Sequence, residues 1–183
     1  QDPLLGMLSD EQFAGVTAEQ IGSLDATQLM LLTTTNIAML SSTQFGGLTG
    51  SQLGQLGDDQ FGALTPEEIG LLLENQLSGL TPEQIGMMSP TQLGGLTGTE
   101  IGWLSPEQLS MLTPTVIGDL SPQQFGGLTG SQIGLLSTEQ FGVLSSTAIG
   151  SLTGEQFAGL TPEEIGQMST EQFGGLTGTE IAQ

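Results

Sequence analysis

Apolar and polar residues recur along this chain with a period of eight, without one insertion from Gln1 to Gln183. Cut every eight residues, the sequence reads SDEQFAGV, TAEQIGSL, DATQLMLL, TTTNIAML, SSTQFGGL and so on to TGTEIAQ, about 23 units in all. The fifth position of each octad is always apolar, and so is the eighth wherever it is present. The first is Ser or Thr in 19 of the 23 units, the fourth is Gln, Glu or Asn in 20, and the sixth is usually Gly. A unit this small cannot bury two apolar side chains alone. It has to share a core with its neighbours, which is the condition that makes a solenoid.

Each octad carries the start signals of a helix. Ser or Thr followed three positions later by Gln or Glu has the spacing of a capping box, in which hydroxyl and carboxamide each serve the other residue's backbone N–H. Seven of the eight prolines stand at the second position (Pro66, Pro82, Pro90, Pro106, Pro114, Pro122 and Pro162). That is the first helical residue, where a missing N–H costs nothing. Acidic residues gather at positions two to four, beside the positive end of the helix dipole. The apolar residues at five and eight then share one helical face.

A single continuous helix is ruled out by geometry. Eight residues at ~100° each leave an offset of ~80° per unit, so the apolar stripe would wind around the axis. The alternative is a β-solenoid, but strand alternation would put positions five and eight on opposite faces. The fold class read from the pattern is therefore all-α: a repeat solenoid of short capped helices, one per eight residues.

A longer period sits on top. Position five alternates between a Phe/Leu class (Phe13, Leu29, Phe45, Phe61) and an Ile/Leu class (Ile21, Ile37, Leu53, Ile69). This predicts two helices per 16-residue coil. The Phe units tend to carry Gly at position seven (Gly15, Gly47, Gly127, Gly159, Gly175). The Ile units carry bulkier residues there (Met39, Leu71, Met87, Trp103, Leu135), as volume compensation in a shared core would require. Residues 41–100 also match 121–180, so an 80-residue block reads as duplicated. No linker interrupts the pattern, and residues 1–183 read as one continuous array without separate domains.

Composition narrows the function. The chain holds 20 acidic residues and no Lys, Arg, His, Cys or Tyr. Nothing here neutralises phosphate, so nucleic acid is a poor partner, and an anionic membrane surface is repelled on the same ground. No apolar run approaches the ~20 residues of a membrane span. Without imidazole, thiol or amine, acid–base chemistry would rest on carboxylates alone, and structural zinc lacks its ligands. Calcium, which takes oxygen ligands, stays open as a cofactor.

The candidate features each have a plain alternative. The acidic edge (Glu67, Glu68, Glu83, Glu107, Glu139, Glu163, Glu164, Glu171) invites a Ca²⁺ ladder, but dipole complementation and solubility explain it, and no calcium-loop motif supports a site. The pairs Asp58/Asp59 and Glu163/Glu164 suggest glycosidase carboxylates, yet they recur because the repeat recurs. The Ser/Thr column offers O-glycan acceptors, although capping already uses the hydroxyls. Trp103, the single Trp, reads as local packing. Thr-Gly pairs such as Thr49-Gly50 and Thr97-Gly98 suggest softer joints. No catalytic, cofactor-binding or metal residue is assigned, and the chain is not expected to be an enzyme.

Units such as LTPEQIG (80–86), LSPEQL (104–109), LTPEEIG (160–166) and LSTEQFG (136–142) resemble the L-[ST]-x-[DE]-Q-[IVLF] octads in tandem-repeat regions of large bacterial surface and secreted proteins. The resemblance covers the whole chain and implies an extracellular or cell-surface stalk, fibre or spacer. The first unit, QDPLLGML, is more apolar than most, and the last breaks off at Gln183 in mid-octad. Neither end reads as closed. The array is expected to continue in a longer protein or to stack end to end into a filament with itself as partner. The alternative function is a monomeric spacer or binding module for protein, polysaccharide or Ca²⁺-dependent adhesion.

Overall fold

The computed structural model describes residues 7–182, apart from the side chain of Thr179. Among the described residues it holds 22 α-helices, one for each octad from Asp10 onward, and no strand. The protein is an all-α solenoid, and the β-solenoid alternative falls away. The helices are only four to six residues long, too short to survive alone, so their ends matter as much as their bodies.

The N-termini are built as the spacing predicts. In Thr17–Gln20 the backbone N–H of Gln20 donates to Thr17 Oγ1 at 3.1 Å, while the N–H of Thr17 donates to Gln20 Oε1 at 2.9 Å. The same reciprocal pair recurs from Ser9–Gln12 to Ser169–Gln172. Proline occupies the first turn of α8 (Pro66–Ile69), α10 (Pro82–Met87) and α20 (Pro162–Gln167), among others. The caps themselves are extended, with φ near −65° to −93°, so each helix begins where the chain leaves a short extended link.

The fold divides into two compact units, residues 1–96 and 97–183. In the first, α2 (Ala18–Gly22) packs on α5 (Ser42–Gly46), α6 (Gly50–Gly54) on α9 (Glu74–Leu77), and α8 on α11 (Pro90–Gly94). In the second, α12 (Gly98–Trp103) packs on α15 (Pro122–Gly126), α16 (Gly130–Leu135) on α19 (Gly154–Ala158), and α18 (Ser146–Gly150) on α21 (Thr170–Gly174). Each partner lies three octads further along. The coil therefore takes up more than the two helices per 16 residues that the alternation suggests.

The reason lies in the links. No described residue, glycine included, has a positive φ. Reversing a helix within two residues typically uses a left-handed residue at its C-terminus. Extended links turn the chain only part of the way, so several short helices are needed before it closes a coil.

The 16-residue alternation has a different origin, and glycine reveals it. A Cβ on Gly22 would stand 2.7 Å from the carbonyl oxygen of Gly47, and one on Gly134 would stand 2.7 Å from that of Gly159. A Cβ on Gly47 would in turn run into the backbone of Ala18. Backbones of the Ile-class and Phe-class helices thus meet with no room for a side chain between them. In the Phe-class units the sixth-position glycines, Gly46, Gly62 and Gly126, face open space where a Cβ would stand, so sterics do not require glycine there.

Volume compensation in the core does not explain position seven. Met39, Leu71, Met87 and Leu135 are 43 to 54 % exposed, so they point to solvent, while Gly47, Gly127, Gly159 and Gly175 face a neighbouring backbone. Two of the Thr-Gly pairs, Thr49-Gly50 and Thr97-Gly98, mark close backbone approach. A Cβ on Gly50 would collide with the Asn75 carbonyl, and one on Gly98 with that of Gln123 at 2.5 Å. The core proper is the fifth and eighth positions, from Phe13 and Ile21 to Ile149 and Leu152.

Two substitutions separate these roles. Gly47→Ala places a methyl against backbone and is expected to destabilise by about 1–3 kcal/mol, as overpacking does. Gly46→Ala, in open space within α5, is expected to stabilise by about 0.5–1 kcal/mol. Urea unfolding of both variants checks the ranking, and equal effects would refute the close-approach account.

Candidate functional site

The residue that ties coil to coil is the Gln at the fourth position of the octad. Gln76 is 1 % exposed, and the Gln side chains at 44, 52, 60, 84, 92, 108, 124, 132, 140, 156 and 172 are likewise buried. A buried carboxamide must satisfy one acceptor and two donor hydrogens. The oxygen does so locally, taking the N–H of its own helix cap. The nitrogen reaches backwards. Gln44 Nε2 donates to the carbonyls of Phe13 and Val16, both at 2.9 Å.

That register repeats at separations of 31 and 28 residues. Gln60 Nε2 reaches Leu29 and Leu32 at 2.9 and 2.8 Å, and Gln76 Nε2 reaches Phe45 and Leu48 at the same distances. In the second unit Gln132 holds Ile101 and Leu104 at 2.8 and 3.1 Å, and Gln140 holds Leu109 and Leu112 at 3.1 and 2.7 Å. The carbonyls so used belong to positions five and eight, at the helix C-termini; those at position five also accept the N–H of position eight, as Phe13 does from Val16 at 3.0 Å, while those at position eight have no helical donor. One side chain closes the start of its own helix and the end of another.

The octad pattern points to capping alone for these residues. A signal for the second role is nevertheless present: position four is Gln in 15 units and Glu in four, although either residue completes a capping box. Only the amide can also donate.

The Glu positions expose the consequence. Glu68 and Glu164 are both 4 % exposed, which removes them from the solvated acidic edge on which the sequence pattern puts them. The other members, Glu67, Glu83, Glu107, Glu139, Glu163 and Glu171, do lie exposed. Glu68 Oε1 accepts the N–H of Thr65 at 2.9 Å, as the Gln oxygen would. Its Oε2, and that of Glu164, is buried without a hydrogen-bond partner. By the register of the Gln residues, the carbonyls of Ile37 and Leu40 lie opposite Glu68, and those of Ile133 and Leu136 opposite Glu164. Carbonyls offer no proton to a carboxylate. Burial therefore pushes both carboxyls above their ordinary value of 4.5, against the lowering effect of hydrogen bonds from Thr65 and Thr161 and with a smaller push from Glu67 and Glu163.

The seam has a direction. In the first unit the amides of Gln12 and Gln20 are exposed and bond only to their own caps among the described residues. At the far side of the second unit the fifth-position residues lose their cover: Ile165 is 42 %, Phe173 49 % and Ile181 70 % exposed, against 1 % for Phe141 and 0 % for Ile149. The apolar first octad, QDPLLGML, lies mostly outside the described residues.

The remaining candidates are not assembled into a site. Asp58 and Asp59 are both exposed, while Glu163 points to solvent and its neighbour Glu164 inward. No group of three or more acidic residues is gathered for a metal ion among the described residues. Trp103 is half-buried at the end of α12. No described helix is long and apolar enough to cross a membrane.

The buried seam is open to test by substitution and by pH. Gln76→Met keeps length but strands the Leu48 carbonyl and the Leu73 N–H, and should cost about 1–3 kcal/mol in urea unfolding. Glu68 and Glu164 have raised folded-state values, so the folded chain holds their protons more tightly than the unfolded chain. Their stabilising contribution is complete below 4.5 and is lost as pH rises through the raised values. The double variant Glu68→Gln/Glu164→Gln should therefore melt higher than the parent at pH 7, with the gap closing on acidification. The charge-matched pair Glu67→Gln/Glu163→Gln controls for net charge; an equal pH response in both would contradict the assignment.

No protein-family model and no curated protein matches this chain.

Proposed function

We propose that this solenoid is a non-catalytic structural protein that forms an extracellular or cell-surface rod or filament by stacking end to end with further copies of itself. The observation that carries the reading is the polarity of the seam. Within each unit a coil turns its carboxamide donors toward the preceding coil and its fifth- and eighth-position carbonyls toward the following one; Gln12 and Gln20 of the first unit, and Ile165, Phe173 and Ile181 of the second, lie exposed. Donors and carbonyls are the two halves of the interface that joins coils within each unit. A head-to-tail contact of complementary halves does not close on itself and propagates into a polymer.

Other features agree with this use. The resemblance of the octads to repeats of bacterial surface and secreted proteins supports the location. A surface that carries exposed carboxylates and no cation keeps rods apart laterally and leaves end contacts as the favoured ones. Capping engages the Ser and Thr hydroxyls as acceptors, which still leaves exposed threonines open to O-linked sugar.

Electron microscopy and sedimentation velocity of the purified chain test the proposal. Fibres whose length grows with concentration are expected, and Phe173→Glu should shorten or abolish them without changing the circular dichroism. Monodisperse particles at all concentrations would refute self-stacking and favour a spacer or binding module.

A further inference from the structure

Two octads of the second unit lack a carboxamide or carboxylate at the fourth position, which holds Val116 in one and Ala148 in the other. Val116 brings a branched apolar side chain of its own. Ala148, in the octad SSTAIGSL at residues 145–152, brings only a methyl group. Its helix keeps half of the cap, with the N–H of Ala148 donating to Ser145 Oγ at 3.0 Å, but there is no capping box. Three backbone groups are left as a set. The N–H of Ser145 has no carboxamide oxygen to donate to. The carbonyls of Ile117 and Leu120, at the 31- and 28-residue register, have no carboxamide nitrogen to accept from, although Ile117 still takes the backbone N–H of Leu120 at 3.4 Å; in the same unit Gln140 and Gln156 fill these places at 2.7 to 3.1 Å.

The space left is a cavity of about 160 Å³, lined by Ile117, Leu120, Phe125, Leu144, Ser145 and Ala148 among others. It combines one outward donor, two converging acceptors and an apolar wall. Such a mixture of few placed polar groups on an apolar lining is what a small-ligand site needs.

We propose that this cavity binds a primary carboxamide carried on a short aliphatic stem. The ligand oxygen accepts from Ser145 N–H, its NH₂ donates to the carbonyls of Ile117 and Leu120, and its carbon stem lies along Phe125 and Leu144. The atoms that Gln has beyond Ala at this position are those of acetamide, so the missing side chain defines the smallest ligand. The cavity also extends past those atoms, so it takes a longer stem. A carboxylate of the same shape is refused, because it brings no donor to two carbonyls and adds charge to an already acidic chain. An ammonium group is refused in part, because it leaves Ser145 N–H unmet. Free small amides and the Gln side chain of another protein share this chemistry. The proposal does not rest on filament formation.

The test is a titration of the intact, ¹⁵N-labelled chain by two-dimensional NMR with acetamide, propionamide, propionate and acetyl-Gln-N-methylamide. Saturable shifts centred on the Ser145 and Ala148 amides are expected with the amides, and none with propionate. Ala148→Gln should fold, since its neighbours carry the same residue, should melt higher than the parent, and should lose the response. Binding of the Gln derivative at least about tenfold tighter than acetamide points to a protein glutamine as the ligand, and equal binding to a free amide. A response equal for propionate, one that persists in Ala148→Gln, or no saturable shift at molar acetamide would overturn the proposal.

Discussion

The structure depends on a buried carboxamide that recurs at the fourth position of most octads. Helices of four to six residues cannot hold themselves, and every end leaves backbone groups unpaired. Gln solves both difficulties at once: its oxygen takes the N–H at the start of its own helix, and its nitrogen takes two carbonyls at the end of another helix in the adjacent coil. Coil stacking is therefore fixed by directional bonds, and apolar burial at positions five and eight fills in around them. A core of Leu and Ile alone would tolerate slippage between coils that look alike. The 31- and 28-residue register does not.

Much of this is legible in the sequence. Capping boxes, proline at the first helical residue and the apolar pair at five and eight define the short helices and their boundaries, because those signals act within one octad. What acts between octads is harder to read. The coil size depends on the absence of a left-handed link among the described residues, which glycine-rich sequence does not announce. The glycines at 47, 127 and 159 look like volume partners of bulky residues, whereas they mark backbone against backbone. The second role of Gln hides behind the first; only the rarity of Glu at that position hints that a donor is needed.

The exceptions to the seam are where chemistry beyond scaffolding can enter. Glu68 and Glu164 insert a group that is a proper staple only when protonated, so acid strengthens the coil contacts that neutral pH weakens. Ala148 removes the staple altogether and leaves a shaped cavity with its hydrogen-bonding groups in place. In a repeat this regular, a departure at the one position that bonds both ways carries more information than the acidic edge, whose exposed members recur without forming a cluster. The same regularity leaves the paired carboxylates in unlike settings, Asp58 and Asp59 both exposed and Glu164 buried beside exposed Glu163.

The central claim is that the Gln nitrogen bonds to the preceding coil, and hydrogen exchange of the side-chain amides tests it most directly. The Nε2 protons of Gln44, Gln60, Gln76 and Gln132 should exchange far more slowly than those of exposed Gln12 and Gln20. Uniformly fast exchange across all of them would mean that the coils are held by apolar packing alone, and would contradict the account.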